Sequence, residues 1–424
     1  MRNSKPGPAA LAALPDEELL EAVQRQTFGY FWEGAHPICG LAADRLKTEP
    51  GAAGDLVAIG GSGFGIMAII IAVERGWVTR AAAVERLEAM LELLVRATCY
   101  HGVFPHFING RTGAALPFSR KDDGGDLVET SFLVAGLLCA RAYFSRGTPQ
   151  ETALRERIYV LWHDVEWDWY TRDGREVLYW HWSPNNDWAL DLEIRGWNEA
   201  LATYVLAAAA PRYPVNPMVY QRGFAAGRDF VNGKSYYDIR LPLGPPFGGP
   251  LSFAHYSFTG IDPRQLTDRY ADYWDQCVRH VRINRTHCEK NPLQHKGYGA
   301  SCWGLTASDD LEGYAVHAPD CDNGTISPTA ALSSMPYAPR EALQAMRHFL
   351  TAHGERVWGR FGFVDAFCED KAWFADSYVA IDQGPIIVMI ENYRTGLLWK
   401  LFMSVPEVQA GLRKLAFSSP HFTA

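Results

Sequence analysis

Along these 424 residues, six apolar segments rich in small residues alternate with six segments whose apolar residues lie on one side only. The apolar set begins near Gly61 (GGSGFGIMAIIIAVERG), Gly124, Gly196, Leu251, Thr325 and Asp382, at intervals of roughly 55–75 residues. Each opens with Gly, Pro, Asp or Ser nearby, which suits a loop feeding a helix N-terminus. The one-sided set covers 16–32, 80–97, 152–170, 265–289, 339–353 and 406–415, with apolar steps of three and four such as Leu87, Met90, Leu91 and Leu94. Six buried helices inside six amphipathic ones make an all-α (α/α)6 toroid, with the loops before the inner helices gathered at one end. An ordinary helical bundle or solenoid is the alternative. Strand patterning is confined to patches such as 177–182, which reads as a small β-hairpin on the loops. The Pro/Gly-rich run at 241–250 reads as an ordered loop, so 16–424 form one domain behind a tail of 1–15.

Composition narrows the function. Hydrophobic residues are 48% and charged ones 21%, as in a globular chain with a real core. A net charge of −8 without a Lys/Arg run argues against a nucleic-acid partner. No apolar stretch is long enough for a membrane span. No signal peptide is visible, so the expected compartment is cytoplasmic, or periplasmic if an export signal has been removed. The eight cysteines are scattered without a CxxC pair, which argues against a zinc cluster or a disulfide scaffold. Fourteen tryptophans, many beside polar residues, suit either a large core or a groove in which indoles stack on sugar rings.

Four segments could carry chemistry. In KDDGGDLVETS (Lys121 to Ser131), Asp126 and Glu129 form an i, i+3 pair on an inner helix expected to start near Gly125. Two carboxylates crowded at a buried helix start repel, so one can stay protonated while the other is ionised, as glycosidic cleavage requires. Helix capping is the simpler explanation of the same residues. Glu199, in GWNEALATYVL, is expected four residues into an alanine-rich inner helix, where an unpaired carboxylate is costly. Asp382 and Gln383 precede a third apolar helix, within which Glu391 and Arg394 are spaced as a buried ion pair. The loop-like stretch from Trp303 to Ser334 offers Trp303, Asp309, Tyr314, His317, Asp320 and Asp322 as sugar contacts. Its DCDNG piece lacks the spacing and the late Glu of a calcium loop, so no metal site is expected. GxSxG, HExxH, P-loop and strand-linked GxGxxG motifs are missing.

The stretches FGYFWEGAHPICGLAADR, GGSGFGIMAI, GRTGAALPFSRKDDGGDLVETSFL, LYWHWSP, GWNEALATYVLAA, LPLGPPFGGPLSFAHYSF, WGLTASDDLEGYAVHAP and DQGPIIVMIENYRTGLLWKLFM span nearly the whole chain. Together they resemble the glycoamylase-like family, most closely glycoside hydrolase family 144, the endo-β-1,2-glucanases. The resemblance implies an (α/α)6 fold and anomer-inverting hydrolysis of β-1,2-glucan to short sophoro-oligosaccharides, with no cofactor. It carries catalytic carboxylates onto Asp126, Glu129 and Glu199, with Glu199 as the acid and Asp126 or Glu129 steering water. Asp382 is held in reserve as the base. Candidate substrate contacts are Arg45, His106, Lys121, Asp122, Trp182, Asn198, His255, Tyr256, Trp303, His317, Gln383, Glu391 and Arg394. Departures at Cys39 and at Asp191, Glu193 and Arg195 bear on chain-length preference. An exo-acting sophorose-releasing enzyme, a transglycosylase and a non-catalytic glucan-binding protein remain as alternatives.

Overall fold

The computed structural model describes residues 7–49, 51 and 54–422. Its helices are α1 (Pro8–Ala12), α2 (Asp16–Trp32), α3 (Ile59–Glu74), α4 (Arg80–Arg96), α5 (Leu127–Tyr143), α6 (Pro149–His163), α7 (Leu201–Ala209), α8 (Ser252–His255), α9 (Tyr273–Lys290), α10 (Pro328–Leu332), α11 (Pro339–Val357), α12 (Ala380–Arg394), α13 (Leu397–Met403) and α14 (Pro406–Lys414). They form an (α/α)6 toroid. The inner ring runs α3, α5, α7, α8, α10 and α12, and closes where α12 packs on α3. Every residue of α3 from Ile59 to Ala72 is buried, because neighbours cover it on all sides. Outer helices keep one wet face: α4 buries Val84, Leu87, Leu91 and Leu94 while Glu85 and Glu92 stay exposed.

The chain skips an outer helix between α7 and α8, and its last helix fills the gap. α14 lies along α7, and Lys414 Nζ donates 3.0 Å to the carbonyl of Ala208. α13 contacts α5, α12 and the 3₁₀ turn Ser257–Thr259 at once, so it plugs the ring at the C-terminal ends of the inner helices. The described part of the stretch before residue 16 is also packed: α1 lies on α11 with Leu11 and Ala12 buried. Among the described residues no helix is long and apolar enough to cross a membrane.

Two inner segments are shorter than their apolar runs predict. α8 continues only into Ser257–Thr259, and α10 is a little over one turn. At the end of α10 the Ser334 hydroxyl donates 2.7 Å to the Ala330 carbonyl and competes with the helix ladder, whereas the Ser257 hydroxyl reaches across to α7 and accepts the Ala202 amide. The hairpin expected within 177–182 does not form. His181–Trp182 pairs instead with Gly125–Asp126, directly before α5. Strands likewise lead into α3 (Leu56–Ala58) and α12 (Ser377–Val379), which pins three inner-helix N-termini at one mouth.

Small residues set how close the ring can draw. A Cβ on Gly63 of α3 would lie 2.2 Å from the Phe132 carbonyl oxygen, and one on Gly136 of α5 would lie 2.2 Å from that of Gly63. Backbone meets backbone there, so nothing flexible can yield. Gly63→Ala is expected to cost about 3 kcal/mol or more in urea unfolding. A change within error would mean that α3 and α5 can part without loss.

Candidate active site

Asp126 ends the strand pair with His181–Trp182 and is the N-cap of α5. Its Oδ1 accepts the amides of Val128 (3.0 Å) and Glu129 (2.9 Å), while Oδ2 meets His106 Nδ1 at 3.1 Å. Capping, the simpler sequence explanation, therefore holds for Asp126, and the same carboxylate also lines the mouth. Glu129 sits one turn in, nearly buried, with Oε2 on the Gly60 amide at 2.7 Å. A Cβ on Gly60 would stand 2.5 Å from that oxygen, so the glycine keeps room for the carboxyl. Burial, reinforced by Asp126, pushes Glu129 up to about 7 against the pull of His106. Burial would lower His106, but Glu129, Asp126 and Asp122 outweigh it and raise the imidazole to about 9. Asp122, pushed up to about 6 by burial and by Asp126, lies 3.4 Å from His181 Nε2. The cluster thus holds one imidazolium among three carboxyls at neutral pH.

Glu199 is not inside the helix where the sequence pattern puts it. Asn198 Oδ1 accepts the Ala200 amide at 2.9 Å, and this local turn delays α7 to Leu201. Glu199 therefore lies on the turn at the mouth, half-buried, and its backbone carbonyl accepts the Ser257 hydroxyl. Burial first, then Asp126, raises its carboxyl to about 7.

Asp382 lies in the first turn of α12 rather than before it, and is 1% exposed. Tyr256 donates to Oδ1 at 3.1 Å and Tyr314 to Oδ2 at 3.3 Å. Burial raises Asp382 to about 7 although Tyr256 and Tyr314 both give it hydrogen bonds. Tyr314 hangs from the hairpin of Ser308–Asp310 and Gly313–Ala315 and is partly exposed. Arg45 pairs with Asp309, which also takes the Ser377 hydroxyl. Beneath the carboxyls, Tyr256, Phe64 and Phe132 contact one another with centroids 5.4–5.7 Å apart, giving the mouth an aromatic floor. In ring order α7 is opposite α12, so Glu199 and Asp382 face each other across this floor, with Asp126 beside Glu199.

The structure thus brings Arg45, His106, Asp122, Asp126, Glu129, Asn198, Glu199, Tyr256 and Asp382 to one end. Lys121 is exposed on the rim, and Trp182 is half-buried in an aromatic group with His101, Trp169 and Trp188. Six expected contacts do not offer a free face to a sugar. Trp303 is fully buried, and His317 is held by Asp310 and Ser308 inside the loop. His255 is buried on Ser334, and burial lowers it to about 3, so it stays neutral. Gln383 is turned to the Phe363 carbonyl. Glu391 and Arg394 do not pair with each other and stand at the far end of α12: Glu391 binds Arg75 at 2.6 Å, whereas Arg394 binds Glu17 and Glu21. Helical spacing showed which residues share a turn, but not which neighbouring helix supplies the counter-charge. Asp365 was missed; the apolar alternation of FGFVDAF gives no hint that its carboxyl reaches Asp382.

A family model described as "Putative glucoamylase" matches residues 191–406. An endo-β-1,2-glucanase from Chitinophaga pinensis, solved with sophorotriose and glucose, is 49% identical over 97% of this chain and 100% of its own, with a TM-score of 0.93. An exo β-1,2-glucooligosaccharide sophorohydrolase (non-reducing end) from Parabacteroides distasonis is 43% identical over 95% of this chain. The chain spans 58% of the length of that curated relative. An endo-β-1,2-glucanase mutant from Talaromyces funiculosus shares the fold alone, at 10% identity and a TM-score of 0.68.

A carboxyl raised by burial favours the folded state only while protonated. That contribution is complete below the unfolded pKa near 4 and is lost as pH rises through the folded value of about 7. Glu199→Gln is therefore expected to stabilise the protein at pH 8 by on the order of 2 kcal/mol, with no gain at pH 4. Denaturant unfolding at the two pH values checks this; equal effects would mean that Glu199 is not desolvated.

Proposed function

The chain belongs to the glycoamylase-like family, among the relatives of glycoside hydrolase family 144, and we propose that it hydrolyses β-1,2-glucan to short sophoro-oligosaccharides with inversion at the anomeric carbon. The observation that carries this reading is the opposition of Glu199 and Asp382 across the aromatic floor. Inversion uses an acid and a base on opposite faces of the sugar, far enough apart to admit water, about 6.5–9.5 Å between carboxyls. Glu199, protonated at neutral pH, gives its proton to the glycosidic oxygen. Asp382, ionised and steadied by two tyrosine hydroxyls, takes a proton from the attacking water.

This arrangement prefers Asp382 over Asp126 or Glu129 as the base. Asp126 lies on the same side as Glu199 and already has both oxygens engaged. Together with Asp122, Glu129 and cationic His106, it forms an acceptor-rich wall suited to sugar hydroxyls. Tyr256 and the rim tryptophan Trp182 offer apolar faces to pyranose rings. Endo action is favoured because the endo-acting relative is matched over its full length.

Incubation with linear β-1,2-glucan, with products sized by mass spectrometry, tests the reading. A ladder of sophoro-oligosaccharides is expected. Sophorose alone would make the enzyme exo-acting, longer products would make it a transferase, and binding without cleavage would reduce it to a glucan-binding protein. Glu199→Gln and Asp382→Asn should each lower kcat by roughly 10²–10⁴-fold. Since both carboxyls sit at about 7, kcat/KM should fall below pH 7 as Asp382 protonates and above it as Glu199 ionises. A broad plateau from pH 4 to 9 would contradict the pairing.

A further inference from the structure

Behind Asp382 lies a second buried carboxyl that the mechanism above does not use. Asp365 is 1% exposed, and one hairpin joins it to Asp382: its partner Asp309 stands directly opposite Tyr314, which donates to Asp382, and each carboxyl acts on the other's protonation. Its Oδ2 accepts the backbone amide of Asp309 at 2.7 Å. Its Oδ1 is buried and, among the described residues, receives no N–H or O–H donor. Two carboxylates in contact without water are not both ionised; one proton satisfies the pair.

The donors decide where the proton sits. Asp382 receives two tyrosine hydroxyls, one on each oxygen, and these favour its ionised form. Asp365 has one backbone amide, on the other oxygen. A proton on Asp365 Oδ1 fills the unpartnered position and turns that oxygen into a donor. The surrounding charges agree. Asp309 raises both carboxyls and Arg45, paired with it, offsets part of that on Asp365, while Tyr30, Tyr256 and Tyr314 are the other titratable groups facing the pair.

We propose, on the reading that Asp382 is the base, that Asp365 is a positioning residue that stays protonated and donates a hydrogen bond to Asp382, holding it ionised and aimed at the water. Without that third donor, Asp382 would be buried with only its tyrosines and would bind a proton more readily. Burial and the nearby Asp382 and Asp309 charges do raise Asp365 well above the usual carboxylate range, as the proposal requires.

Asp365→Asn and Asp365→Ala separate this role from a charged or purely structural one. The asparagine amide can still donate to Asp382 while its oxygen accepts the Asp309 amide. The acid limb of kcat/KM against pH should therefore stay at its wild-type position in Asp365→Asn, and move up by about one pH unit in Asp365→Ala. Loss of activity at all pH values in a folded Asp365→Asn would mean that Asp365 works ionised, and an unmoved limb in Asp365→Ala would mean that it gives Asp382 nothing; either overturns the proposal. Infrared spectroscopy decides independently of substrate and of whether the alanine variant folds. At pH 8 the wild-type protein should show a protonated-carboxyl C=O band that Asp365→Asn lacks. Absence of that difference overturns the proposal even if β-1,2-glucan proves to be the wrong substrate, and its presence upholds the shared proton in that same case.

Discussion

Desolvation of carboxyl groups at the mouth is the constraint that the rest of this structure is arranged around. Exposed carboxyls are ionised well below neutral pH and make poor acids at pH 7. Here the inner ring draws together closely enough to bury Glu129 and Asp382 and half-bury Glu199, and each is raised to about 7. The close approach depends on backbone contact at Gly63 and Gly136. Strand pairs entering α3, α5 and α12 then fix where the helix N-termini stand. Packing, rather than any single bond, produces the chemistry.

The cost of burying acid is offset locally in two different ways. Around Asp126, amides and a cationic imidazole surround the charge. Around Asp382, neutral donors do so, with the one cation, Arg45, engaged one carboxylate away on Asp309. This contrast suits different duties. A carboxylate with both oxygens already engaged serves to hold hydroxyls, whereas one raised by burial and steadied by tyrosines can take a proton. At the opposite end of the ring the buried Glu391 is matched directly by Arg75.

Much of the fold was legible because a toroid writes itself as periodicity. Helices buried on all sides and helices buried on one side have different patterns, and α3, α4, α5, α11 and α12 fall close to their expected bounds. The failures share one cause. Where side-chain oxygens compete for the backbone, as at Asn198 and Ser334, helices start late or end early, and apolar patterning does not register this. The carboxyls at the mouth were legible where an acid stood in or beside the start of an apolar helix, as at Glu129 and Asp382, although Asp382 falls inside α12 and not before it. Asp365 stands in a short strand-like loop, and its role comes from the partner it meets across the fold. Trp303 shows the converse: an indole in a polar loop looked like a sugar platform but is core.

The stereochemistry of the first-formed product tests the account most directly. Proton NMR can follow the anomeric signal of the new reducing end during the first turnovers on linear β-1,2-glucan, before mutarotation. Glu199 and Asp382 acting from opposite sides predict the α-anomer. Initial appearance of the β-anomer would require a covalent or substrate-assisted double displacement, in which no water enters between acid and base, and would contradict Asp382 as the base that activates water.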